Sequence, residues 1–125
     1  MMLKNLLFIM AGGGLGAVLR YGVCLIADAV FGRAFPLGTL TVNAIGSFCI
    51  GFLALKTQNF GEHWRMFLLA GLLGGFTTFS AFSHETMTML NNRQAAHALL
   101  NIFLNVALCL LFVFAGYKAA LIMTD

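Results

Sequence analysis

Charged residues along this chain are few and fall into narrow clusters that separate long apolar runs. Residues free of Asp, Glu, Lys and Arg occupy four windows, 5–19, 34–55, 66–84 and 94–117. A bilayer core takes about 20 apolar residues in helical form, so each of the last three windows suffices for a span. The first reaches that length only by continuing past Arg20 to Ala27. Arg20 must then snorkel to an interface or face a polar cavity. The pattern predicts an all-α membrane protein, with transmembrane helices at about 3–30, 34–55, 64–90 and 95–120. These make a single four-helix domain over residues 1–125, joined by short connections. The amino-terminal run leads straight into a full span without a cleavage pattern, so it reads as helix rather than as a signal peptide.

Composition sharpens the picture. Of 125 residues, 61% are hydrophobic and 9% are charged, whereas soluble domains average about 25% charged. A water-facing surface cannot be built from that set, which excludes an ordinary soluble enzyme, a disordered tail and a nucleic-acid module. The net charge of +3 is carried in loops facing lipid headgroups, with no basic stripe to follow a phosphate backbone. With four spans, Lys4, Lys56, Arg65 and Lys118 share one side, against Arg33 and Arg93 on the other, with Arg20 added where it reaches that interface. That is a weak bias under the positive-inside rule. The expectation is a dual-topology chain that pairs with its inverted copy as an antiparallel homodimer, with any pathway formed between subunits.

The chemistry is thin by catalytic standards. His63, His84 and His97 flank helix ends, and no motif brings together nucleophile, base and orienter. Cys24, Cys49 and Cys109 lie inside predicted helices at wide spacing and read as packing thiols. Gly12 with Gly16, Gly71 with Gly75, and Ser47 with Gly51 have the small-xxx-small spacing that lets helix backbones approach in lipid.

The third window differs. Gly74-Gly75-Phe76-Thr77-Thr78 places two glycines and two β-branched residues at bilayer depth, a poor helix. The third helix is therefore expected to be broken at mid-membrane. Freed carbonyls there are good ligands for a small cation; a kink with hydroxyls bonded back to the preceding turn accounts for the composition equally well. On the last helix Asn101, Asn105 and Cys109 step by four and form a polar stripe, with Asn43 available opposite. Such amides serve as pore lining or as interhelical glue.

At this point the residues resemble a known family, the Fluc/CrcB fluoride channels. The likeness rests on Gly12-Gly13-Gly14-Leu15-Gly16-Ala17-Val18-Leu19-Arg20-Tyr21 and Pro36-Leu37-Gly38-Thr39-Leu40-Thr41-Val42-Asn43-Ala44-Ile45-Gly46-Ser47-Phe48. It rests above all on Gly74-Gly75-Phe76-Thr77-Thr78-Phe79-Ser80-Ala81-Phe82-Ser83, followed by Glu85. The resemblance implies an antiparallel homodimer in the bacterial inner membrane, with two narrow pores and one structural sodium ion (Na+). It implies that carbonyls of Gly74 and Thr77 from both copies hold the sodium. Phe79, Phe82, Ser80, Ser83, Asn101 and Asn105 line the fluoride route, Asn43 donates to the anion, and Arg20 stands near the entrance. Cys109 and Val113 occupy places where the family pattern has hydroxyl residues, which interrupts a polar track along the fourth helix. The implied task is passive export of cytoplasmic fluoride across the bilayer. A proton-coupled multidrug-type exporter using Glu85, or a non-conducting membrane assembly subunit, are the competing readings.

Overall fold

The computed structural model describes residues 1–124; Asp125, counted in the expected domain, lies outside the described residues. Four helices are long and apolar enough to cross a membrane: Met2–Phe31, Leu37–Lys56, Glu62–Asn91 and Ala95–Ile122. They are called the first to fourth spans below. The second begins at Leu37 rather than at 34, because a proline disfavours helix at the residue before it and Pro36 stands at the N-cap. The first span ends on Gly32, whose φ of 77° is left-handed backbone that a residue without Cβ adopts freely. Between the third and fourth spans Arg93 takes φ 59°, and the Gln94 N–H donates to the Met89 carbonyl at 2.8 Å. This wrap closes the end of the third span and reverses the chain within a few residues.

The spans pack as two crossed pairs, first on third and second on fourth. Glycine makes both crossings. A Cβ on Gly16 would run into the Leu72 carbonyl and approach the Phe76 nitrogen to 2.8 Å, and one on Gly71 would stand 2.9 Å from the Ile9 carbonyl. The two anticipated glycine pairs, Gly12 with Gly16 and Gly71 with Gly75, thus lie against each other. Gly51 meets Val113 in the other crossing. Its counterpart there is Gly116, against the Phe48 carbonyl, a residue the spacing pattern did not single out.

Backbones this close leave little space for large side chains between them. Val42, Ala98 and Ala120 are fully buried, as are the polar residues Asn101 and Thr57. Large apolar side chains face outward along every span, among them Leu15, Val18, Ile45, Leu90, Phe103, Leu110 and Leu111. That arrangement suits lipid or a second copy and is the reverse of a water-soluble fold.

Candidate functional site

The third span is not uniform. After one α-helical turn, Met66–Leu73 winds as π-helix and Gly74–Phe76 forms a last turn. Thr77 (φ −86°, ψ 158°) and Thr78 (φ −154°, ψ 117°) are extended before helix resumes over Phe79–Asn91. Two glycines weaken the turn by about 1 kcal/mol each, and β-branched threonine is at home in extended backbone.

Asn43 on the second span completes the arrangement. The Thr78 N–H donates to Asn43 Oδ1 at 2.8 Å, and Asn43 Nδ2 donates back to the Thr78 carbonyl at 3.0 Å. The side-chain amide thus pairs with Thr78 as a neighbouring peptide would. Thr78 Oγ1 accepts from the Ala81 N–H at 3.1 Å and caps the resuming helix. Consequently the carbonyls of Gly74 and Thr77 do not receive the N–H groups of Thr78 and Ala81, their partners in a continuous helix. Two neutral oxygens freed in this way, near glycine and short of bulk, fit a small hard cation. Thr77 Oγ1 meanwhile bonds back to the Leu73 carbonyl at 2.9 Å, the hydroxyl-to-preceding-turn bond expected of a kink.

A cavity of about 450 Å³ opens beside this segment. Asn43, Gly74, Thr77, Thr78, Phe79, Phe82, Asn105 and Cys109 line it, with apolar walls from Ile50, Leu69, Val106 and Leu110. Among the described residues, no Asp, Glu, Lys or Arg lines it. Phe79 is 78% exposed, Phe82 is buried, and their ring centroids lie 5.3 Å apart at 59°. Three expected lining residues are placed elsewhere. Ser80 and Ser83 are exposed and do not line the cavity; Ser83 Oγ bonds back to the Phe79 carbonyl at 2.9 Å. Asn101 is fully buried behind the wall. Its amide is satisfied there by Asn105 and Thr86. Asn43 has given both amide hydrogens away, to Thr78 and, at 3.1 Å, to Asn105 Oδ1. Arg20 is half-buried on the first span, away from this cavity. Val113 does not line it either, and serves the Gly51 crossing instead.

A second cavity of about 720 Å³ lies toward the end carrying the third-to-fourth turn, with Cys24, Asp28, Arg33, Thr39, His84 and Glu85 in its wall. Glu85 Oε1 accepts from Thr39 Oγ1 at 2.6 Å, and Oε2 is buried without a hydrogen-bond partner among the described residues. Asp28 pairs with Arg33 at 3.0 Å. Nothing in the sequence marks Thr39 as the partner of Glu85, or Thr86 as the partner of Asn101, beyond a hydroxyl inside an apolar span. At the opposite end, Asn5 donates to Glu62 at 2.7 Å and lies 2.7 Å from His63 Nδ1, tying the first and third spans together.

Fold and site together define a class: a small all-helical, multi-pass membrane protein with a cluster of hydrogen-bonded amides and hydroxyls between its second, third and fourth spans. The family model described as "CrcB-like protein, Camphor Resistance (CrcB)" matches residues 7–117. The chain belongs to that family. It is 46% identical over 123 residues to the "Fluoride-specific ion channel FluC" of Elusimicrobium minutum, covering 98% of each chain. The proteins of the same name from Shewanella amazonensis and Alteromonas mediterranea are 44% and 46% identical over 118 and 119 residues. Those matches cover 93% of this chain in both cases, and 95% and 91% of the relatives.

Proposed function

We propose that this protein is a fluoride-selective ion channel for passive export of cytoplasmic fluoride across the bacterial inner membrane. It works as an antiparallel homodimer with two pores and a structural sodium ion at its centre. The observation that carries this reading is the uncharged cavity in which Phe79, Phe82, Asn43, Asn105 and Cys109 meet on an open face of the chain. The name shared by the relatives supports it.

Fluoride is small and strongly hydrated, so a route must replace its water yet let it leave. Aromatic edges carry partial positive charge, and the hydroxyl of Ser47 and the thiol of Cys109 add neutral donors, while the amide hydrogens of Asn43 and Asn105 stay committed within the protein. A lysine or arginine at the same place would hold the anion too firmly. The carbonyls of Gly74 and Thr77 would hold the sodium, one pair from each copy. When bound, it would supply a fixed positive potential beside both routes. Transport needs no nucleotide or proton carrier, since an inside-negative potential contributes about 2.3 kcal/mol per 100 mV toward expelling the anion.

Purified protein in liposomes, with fluoride efflux followed by an electrode beside chloride controls, tests the reading. Fluoride should leave much faster than chloride. Phe79→Ile and Phe82→Ile should cut the flux while leaving dimers intact; wild-type flux from both would overturn the aromatic lining. A proton-coupled exporter is the second reading, and it rests on the unpartnered Glu85 oxygen. Proton-coupled drug export abolished by Glu85→Gln would establish it.

A further inference from the structure

Behind the aromatic pair runs a chain of hydrogen bonds that begins and ends on the same short segment. The Thr78 N–H donates to Asn43 Oδ1 at 2.8 Å, and Asn43 Nδ2 donates to Asn105 Oδ1 at 3.1 Å. Asn105 Nδ2 donates to Asn101 Oδ1 at 3.0 Å, and Asn101 Nδ2 to Thr86 Oγ1 at 3.0 Å. Thr86 Oγ1 finally donates to the Phe82 carbonyl at 2.8 Å. Every donor points the same way round. The direction is forced at both ends, because a peptide N–H can only donate and a carbonyl can only accept. Each amide is therefore oriented by the one before it, and such one-way chains polarise and strengthen their members. The circuit passes through the second, fourth and third spans, and its two ends bracket residues 78–82, the turn that carries Phe79 and Phe82.

We propose that Asn101 and Thr86 are positioning residues, which set the aromatic turn from behind through this circuit and so govern discrimination between fluoride and chloride. Neither lines the cavity. Asn101 is fully buried and Thr86 is buried as well, so their action on an ion is indirect. An amide whose only task was to join two helices would need one partner across the interface. Asn101 instead receives from its own helix and passes a hydrogen to another, onto a hydroxyl that is itself committed to Phe82. The functional consequence rests on the channel reading above; the positioning itself does not.

The test uses the full-length protein purified in lipid. Thr86→Val keeps the side-chain shape and cuts the circuit, Thr86→Ser restores the hydroxyl, and Thr57→Val removes an equally buried hydroxyl outside it. Among the described residues, Thr57 Oγ1 bonds only to the Leu53 carbonyl, at 2.6 Å. Amide hydrogen exchange over residues 78–82 and the fluoride-to-chloride efflux ratio are measured for each. Thr86→Val should raise exchange about tenfold and lower the ratio by a similar factor, as expected for orphaned buried partners. Thr86→Ser and Thr57→Val should stay near wild type on both measures. Exchange in Thr86→Val no faster than in Thr57→Val overturns the proposal. Faster exchange with an unchanged ratio overturns its claim on discrimination. Faster exchange in a protein whose wild type passes no fluoride supports the positioning and overturns the channel reading instead.

Discussion

Asn43 pairs in both directions with the peptide of Thr78, and its removal should be costly in proportion. Leucine at this position preserves volume but leaves the Thr78 N–H and carbonyl without their partners. Each buried orphan costs about 1–3 kcal/mol, so Asn43→Leu should unfold at markedly lower temperature in detergent and lose fluoride efflux. Asn43→Asp keeps the acceptor for the Thr78 N–H but, when ionised, sets a buried negative charge against the Thr78 carbonyl and Asn105 Oδ1. Its thermal unfolding should therefore fall further below wild type as pH rises. Phe79 and Phe82 respond differently: one is exposed and the other buried, so Phe82→Ile should also cost packing whereas Phe79→Ile should leave stability nearly unchanged.

Between elements, backbone approach at the glycine crossings governs stability. A side chain on Gly16 or Gly116 would meet carbonyl oxygens of the facing span, Leu72 and Phe48 respectively, and backbone cannot move aside as a flexible side chain can. Gly16→Val and Gly116→Val should each disrupt the fold, seen as aggregation or loss of a monodisperse peak on size exclusion. Gly22 has nothing within 4 Å of where a Cβ would stand. Alanine there should be accepted and should raise helix stability by up to about 1 kcal/mol, read from the unfolding midpoint in detergent. The extended residues at 77–78 are local in origin yet depend on another element, since the Thr78 peptide finds its partner on the second span.

For the molecule as a whole, charge and exposed surface set the expectations. Lys4, Lys56, Arg65 and Lys118 against Arg33 and Arg93 leave little preference for one direction of insertion. Reporters fused at the carboxyl terminus should give comparable signals from both sides of the membrane. A one-sided signal would count against the antiparallel dimer. The sodium proposal has its own check: exchanging sodium for potassium in all buffers should weaken the dimer or lower fluoride efflux, and full retention of both would remove it.

Four spans, the glycine pairs of the first and third spans, and the near-even distribution of Lys and Arg between the two sides were all legible in the chain itself. Each depends on local hydrophobicity, spacing or composition, which neighbours in sequence already express. The roles of Asn101 and Thr39 were not legible. Stepping by four put Asn101, Asn105 and Cys109 on one helix face, but a face does not say which of its members meets a cavity and which meets another helix. Only the packing of the second and third spans against the fourth decided that Asn105 and Cys109 border the open cavity while Asn101 is sealed behind it. The Thr39–Glu85 bond likewise joins residues far apart in the chain. Hydrogen-bond partners of this kind are chosen by proximity in three dimensions, after the backbones have met, and no periodicity along one helix encodes them.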